Sequence, residues 1–204
     1  MSFDKKYIAQ VEFLQTIFKR YGTDKTQHHY AVPYAKFFAN IRELPITFME
    51  IGVKEGKSLA SWQEYFPNAK IIGVDINPKC SAFQNDRVKI CIGDQSDKQF
   101  LKQVSNEHGP FDVIIDDGSH EGFDQQVSFN CLWDNLNPGG IYVIEDLNCC
   151  RLKEYNTKPC KMNTSELALK WAKKVMVGKM GRNTKEIYMY CSMVIFVKPY
   201  DWKW

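Results

Sequence analysis

Phe111-Asp-Val-Ile-Ile-Asp-Asp-Gly-Ser-His120 and, one helix later, Tyr142-Val-Ile-Glu-Asp146 each run from hydrophobic residues straight into acids. A parallel strand buried on both faces reads as such an unbroken apolar run. In an open α/β sheet, ligands bind just beyond the carboxyl ends of the strands. Asp116, Asp117, Glu145 and Asp146 are therefore expected to converge at one mouth, with His120 a turn away. Four neighbouring carboxylates repel unless protons or a cation intervene. The pattern implies a hard divalent metal beside a proton acceptor.

Outward from these strands, the apolar spacing alternates between the two periods of strand and helix. Helices are predicted over residues 5–20 and about 31–43. A first strand over 46–53 closes on Gly52 and Gly56, and a helix follows over 58–66. Strands at 70–76, 88–92, 111–116 and 140–145 then alternate with helices near 79–84, at 96–106 and at 122–136. Such alternation predicts a parallel sheet with helices on both faces. Residues 148–163 read as a loop, 164–174 as a helix capped by Thr164 or Ser165, and 186–191 with 193–197 as a tight antiparallel hairpin. Trp62, Trp133 and Trp171 fall on amphipathic helices and read as core. Trp202 and Trp204 suit a sheet edge or a partner subunit.

Length and composition narrow the function classes. The 204 residues suffice for one domain with a sizeable core. No internal linker, repeat or low-complexity segment is visible. The expectation is a single domain over 1–204, a helical segment (1–45) preceding a sheet core (46–204). A net charge of +3 is too small to argue for nucleic acid, although lysines group at 170–174 and 179–185. No apolar run reaches the roughly 18 residues of a membrane helix. The N-terminus lacks the apolar stretch of a signal peptide. The seven cysteines follow no framework spacing, which suits a reduced, cytoplasmic protein. Cys149-Cys150 has no partner spacing for zinc. Arg151, Lys153 and Lys158 read as a solvated polar loop, with contact to a substrate anion as the alternative.

Phe48-Met-Glu-Ile-Gly-Val-Lys-Glu-Gly56 places Glu50 and two glycines where a strand opens into a helix, and Asp75 ends the next strand. An acid there accepts from both hydroxyls of a ribose. A dinucleotide needs a middle glycine for close approach of the pyrophosphate; Lys54 stands in its place. S-adenosylmethionine has no phosphate, and its cationic groups suit a carboxylate such as Glu50. A plain α/β turn whose glycines serve packing remains the simpler alternative. After the third strand, Asp94 has two open readings, an acceptor for an exocyclic amine or a helix N-cap. Gln95 would help enclose the base, and Asp97 reads as a first-turn acid favoured by the helix dipole.

The series Tyr21-Gly-Thr-Asp-Lys25, His28, Tyr30, Glu50-Ile-Gly52, Gly73-Val-Asp75, Gly93-Asp-Gln-Ser-Asp97, Ile114-Ile-Asp-Asp-Gly-Ser-His120 and Tyr142-Val-Ile-Glu-Asp146 resembles class I S-adenosylmethionine-dependent methyltransferases. More narrowly, it resembles the metal-dependent sugar O-methyltransferases of macrolide biosynthesis. It is also similar to relatives labelled cephalosporin hydroxylase or rhamnosyl O-methyltransferase. The resemblance covers about residues 20–147. It implies a Rossmann-like α/β fold with a seven-stranded, mostly parallel sheet, its last strand antiparallel. It implies Mg²⁺ (or another hard divalent cation) on Asp117, Glu145 and Asp146, His120 as general base, and Asp116 at the methionine end of S-adenosylmethionine. Thr23, Lys25 and His28 match an N-terminal motif near the cofactor. With Glu50, Gly52, Gly56, Ser58, Asp75, Ile76, Asp94 and Gln95 they make up the expected cofactor pocket. The choice between Asp116 and Asp117 as metal ligand stays open.

The expected activity is methyl transfer to a hydroxyl of a small molecule, a sugar or glycoside. A nucleotide or nucleic-acid methyltransferase of the same fold, or a non-catalytic cofactor-binding protein, are the competing readings. A hydroxylase is ranked last for want of a two-histidine, one-carboxylate iron site. Macrolide enzymes carry N-terminal and lid segments that this sequence lacks, so a homo-oligomeric partner is an expected source of a lid.

Overall fold

The computed structural model describes residues 5–178 and 186–200. The lysine group at 179–185, Trp202 and Trp204 lie outside them. The chain begins with α1 (Lys5–Tyr21), a short 3-10 turn and α2 (Ala31–Phe38). It continues through β1 (Thr47–Ile51), α3 (Lys57–Tyr65), β2 (Lys70–Asp75), β3 (Val88–Ile92), α4 (Lys98–His108), β4 (Phe111–Asp116), α5 (Gly122–Leu132) and β5 (Leu136–Ile144). It closes with α6 (Thr164–Met176), β6 (Glu186–Tyr190) and β7 (Met193–Val197).

The seven strands form one sheet in the order β3-β2-β1-β4-β5-β7-β6. The β1–β5 pairings are parallel, and β7 runs antiparallel to both neighbours. The sheet is therefore Rossmann-like, with the antiparallel C-terminal hairpin at one edge. The order reverses direction between β1 and β4, which opens a crevice at their carboxyl ends. One face is covered by α1, α2 and α3 through Phe18, Tyr34, Phe38, Trp62 and Phe66. The other is covered by α4, α5 and α6 through Leu101, Phe129, Trp133 and the half-buried Trp171. β4 is buried on both faces apart from Asp112, as an apolar run dictates.

Several boundaries differ from expectation for local reasons. The second helix ends at Phe38, well short of 43. The segment near 79–84 is a 3-10 turn, started by the Asn77 side chain accepting from Lys79 N–H, with Pro78 at its first position. The helix predicted to reach 136 stops at Leu132; after a short turn, β5 already begins at Leu136 and carries Pro138, Gly139 and Gly140 through a register shift opposite β4. The cap of α6 is Asn163, in a reciprocal capping box with Glu166, and not Thr164 or Ser165. Asp97 is itself the N-cap of α4, accepting from Gln99 and Phe100 N–H, and not a first-turn acid.

The contact between the β1 and β4 ends sets the crevice geometry. Asp117 N–H donates to Ile51 O at 2.9 Å, and the loop after β4 crosses directly over Gly52. Gly52 has φ +95°, and a Cβ there would stand 2.0 Å from Asp117 O. Gly52→Ala is expected to lower unfolding free energy by at least about 2 kcal/mol, through left-handed strain and displacement of the Asp117 loop. Urea unfolding checks this; a loss below about 0.5 kcal/mol, the scale of a neutral surface change, contradicts it.

Candidate active site

A cavity of about 590 Å³ lies along the carboxyl ends of the strands. The ends of β1 to β5 contribute: Gly52–Lys54 after β1, Asp75 at the end of β2 with Ile76 and Asn77 after it, Gly93–Gln95 after β3, Asp117–His120 after β4 and Asp146 after β5. Gly22, Thr23 and Asp24 add a wall from the N-terminal segment.

Beneath this cavity lies a buried layer of charge. Lys25 is wholly unexposed. Its ammonium stands 2.6 Å from Asp117 Oδ2, 2.8 and 2.9 Å from the Glu145 oxygens and 3.7 Å from Glu50 Oε1. Burial opposes that charge, but Asp117, Glu145 and Glu50 outweigh it and hold the ammonium well above its ordinary range. Glu145 also accepts from the Tyr34 hydroxyl. Burial, reinforced by Asp117, pushes the Glu145 carboxyl well up, against the pull of Lys25. Glu50 accepts from Ser58 Oγ at 2.7 Å and Trp62 Nε1 at 3.0 Å. Burial raises its carboxyl to about 7.

Above the layer, ligand atoms of Asp117, His120 and Asp146 all lie within 4.8 Å of one another. His120 Nε2 is 3.7 Å from Asp146 Oδ2. Its Nδ1 is buried with no hydrogen-bond partner among the described residues. His120 (φ 58°) and Asp146 (φ 55°) both hold left-handed backbones, as does Lys54 (φ 52°) on the facing wall. Such strain costs about 1–3 kcal/mol per residue and gathers where side chains must be aimed. Two half-buried carboxylates beside a half-buried imidazole are a donor set that a hard divalent cation fits, the remaining positions being left to water or substrate oxygens.

Of the residues expected at the site, Thr23, Gly52, Ser58, Asp75, Ile76, Asp94, Gln95, Asp117, His120 and Asp146 line the cavity. Six do not. Lys25, Glu50 and Glu145 lie in the buried layer, their polar atoms occupied by one another and by Ser58, Trp62 and Tyr34. Glu145 is not in the group of ligand atoms at the mouth; it shares the Lys25 ammonium with Asp117, and His120 lies beside Asp117 and Asp146. Asp116 is fully buried, accepting from Gln95 Nε2 and Ser128 Oγ; it braces the β4 end, and of the two neighbours only Asp117 reaches the cavity. Gly56 starts α3 behind the Phe83 ring. His28 is exposed and stacks on Tyr30.

Some cavity residues carry duties the sequence did not announce. Asp75 accepts from Val53 N–H and Lys54 N–H on Oδ2 and from Asn77 N–H on Oδ1, all at 2.8 Å. About one acceptor position then remains, by the usual count of four per carboxylate. Asp94 Oδ1 accepts from Ser96 N–H at 2.7 Å, which holds its carboxyl below the usual range. Gln95, besides lining the cavity, accepts from Ser119 N–H at 2.7 Å. Tyr30 and Tyr34, given no role from sequence, contact Asp146 and Glu145; their spacing of four on one helix is the signal that was available. Lys158, read as loop, lines the cavity and pairs with the buried Asp124 at 2.7 Å.

Residues 49–147 match the family model described as a methyltransferase domain. The chain is 41% identical over 137 residues to the 8-demethyl-8-(2-methoxy-alpha-L-rhamnosyl)-tetracenomycin-C 3'-O-methyltransferase of Streptomyces olivaceus, a match covering 63% of this chain and 35% of that protein. It is 37% identical over 143 residues to the mycinamicin VI 2''-O-methyltransferase of Micromonospora griseorubida, covering 66% and 36%. Among solved structures, the MycE methyltransferase of the mycinamycin pathway, in complex with Mg, SAH and mycinamycin VI, matches with a TM-score of 0.84 and 30% identity. That match covers 92% of this chain and 55% of the other. The chain spans about a third of the length of the curated relatives it matches.

Two stability measurements check the buried layer. Lys25→Met leaves Glu145 and Glu50 without their cation and is expected to cost about 3–5 kcal/mol, the usual cost of breaking a buried pair. A cost under about 1 kcal/mol, the worth of an exposed pair, contradicts the placement of Lys25. Glu50, held to about 7, keeps its proton in the folded chain where the unfolded chain, ordinary at 4.5, has lost it. That contribution to stability is present below the unfolded value and lost as pH rises through about 7. Glu50→Gln should therefore flatten the fall in stability across that window; an unchanged slope contradicts the assignment.

Proposed function

We propose that this chain, whose residues 49–147 match a methyltransferase domain, transfers the methyl group of S-adenosylmethionine to a hydroxyl of a small glycosidic molecule, assisted by a divalent cation. The observation that carries the reading is the cavity at the β1/β4 switch with Asp117, His120 and Asp146 gathered at its mouth. The names of the similar sugar O-methyltransferases, and the Mg and SAH held by MycE, support the same chemistry. Among the described residues, no helix is long and apolar enough to cross a membrane.

In this reading the remaining acceptor position of Asp75 takes a ribose hydroxyl. Ile76, 68% exposed against the cavity, offers an apolar face to the adenine. Asp94 keeps an oxygen for the exocyclic amine. S-adenosylmethionine supplies the methyl on a sulfonium, leaving the protein to orient and to stabilise charge. Asp117 and Asp146 would hold the cation, whose chemistry there is to acidify and orient the acceptor hydroxyl. Glu145 and Lys25 set the charge behind them. A hard cation prefers oxygen ligands, which leaves His120 to take the hydroxyl proton at Nε2. Asp146 Oδ2, 3.7 Å away, stabilises the resulting imidazolium.

With purified chain, S-adenosylmethionine and a panel of glycosides, methyl transfer should stop in EDTA and return with Mg²⁺. His120→Ala should lower kcat about 100-fold or more, the range of a general base, while cofactor binding, read as the rise in melting temperature, persists. Full turnover in EDTA removes the metal from the reading. The absence of any melting shift at millimolar cofactor removes the cofactor.

A further inference from the structure

We infer that Tyr30 is the positioning residue that fixes Asp146 for cation binding, an inference resting on the metal-assisted reading above. Tyr30 begins the α2 segment and is 1% exposed. Its hydroxyl donates to Asp146 Oδ1 at 2.8 Å and accepts from Asp146 N–H at 3.4 Å. One phenol oxygen thus grips the side chain and the backbone of the same residue. That residue has φ 55°, a conformation that residues with a side chain rarely adopt.

The two carboxylate oxygens of Asp146 consequently have different duties. Oδ1 is held by Tyr30, and Oδ2 is the atom turned toward His120. Tilting the carboxylate plane would break the Tyr30 contact, so the edge it offers to the site is fixed. The phenol cannot easily swing away. It stacks on His28 and meets Tyr34 edge-on, and the Ser192 carbonyl lies 3.4 Å from its oxygen. Ser192, in the turn between β6 and β7, also accepts from Leu147 N–H at 2.9 Å. The N-terminal segment, the end of β5 and the C-terminal hairpin therefore meet at this hydroxyl. Hydrogen-bond partners of this kind, standing behind metal ligands, set ligand orientation, and their removal typically costs about 10- to 100-fold in metal affinity.

The test is calorimetric titration of Mn²⁺ into wild type, Tyr30→Phe, Asp146→Asn and the double variant, with S-adenosylhomocysteine binding measured alongside. Tyr30→Phe should weaken Mn²⁺ by about 10- to 100-fold, leave S-adenosylhomocysteine affinity unchanged, and cost nothing further in the Asp146→Asn background. Saturating Mg²⁺ should restore its kcat. Mn²⁺ affinity equal to wild type, or a full additional loss in the Asp146→Asn background, overturns the inference alone. Absence of Mn²⁺ binding by the wild type overturns the metal reading and the inference together. Should Tyr30→Phe also lose S-adenosylhomocysteine, 3-fluorotyrosine placed at position 30 keeps the hydroxyl. Its fluorine resonance should shift on Mg²⁺ addition, and an unmoved resonance overturns the inference.

Discussion

The ammonium of Lys25, shut away from solvent, is shared by Asp117, Glu145 and Glu50. Each carboxylate closes a different strand or strand-end loop: Glu50 in β1, Asp117 after β4, Glu145 after β5. Lys25 itself comes from the N-terminal segment. One cation therefore ties three neighbouring strand ends to a piece of chain that is not in the sheet. It also answers the repulsion that would otherwise force those ends apart. The balance is incomplete, with one positive charge against three negative ones. Burial favours the protonated forms of Glu50 and Glu145, and Tyr34, Ser58 and Trp62 donate to them, which offsets part of the difference. A cation at the mouth above would complete it.

On that floor the working face is aimed by strain and bracing. His120, Asp146 and Lys54 hold left-handed backbones around the cavity. Asp116, passed over by the cavity, clamps Gln95, and Gln95 in turn holds Ser119 N–H, so the loop carrying His120 is fixed from below. Asp75 does similar work on the opposite wall by gathering the amides of Val53, Lys54 and Asn77. Carboxylates in this site thus divide into those that shape loops and those left to face a ligand.

That division is where sequence stopped being informative. The strands were legible because runs such as Val113–Ile115 and Tyr142–Ile144 can only be buried, and the acids ending them had to share a mouth. Direction and depth were not legible. Asp116 and Asp117 are neighbours, yet strand alternation sends the first inward to Ser128 and leaves the second at the cavity. Glu145 and Asp146 divide the same way, because the left-handed turn at Asp146 redirects the chain. Lys25 looked like a pocket residue; only the fold shows three carboxylates closing around it. Asn163 lost the capping role to its neighbours on paper because Thr164 and Ser165 compete in composition, and geometry alone chose it.

A crystal structure grown with Mn²⁺ and S-adenosylhomocysteine, read by the anomalous signal of the metal, tests the account most directly. The expected result is a metal peak between the carboxylates of Asp117 and Asp146, on the cavity side of Lys25, with the nucleoside against Asp75 and Ile76. A peak away from both carboxylates, or a nucleoside outside the strand-end crevice, would contradict it.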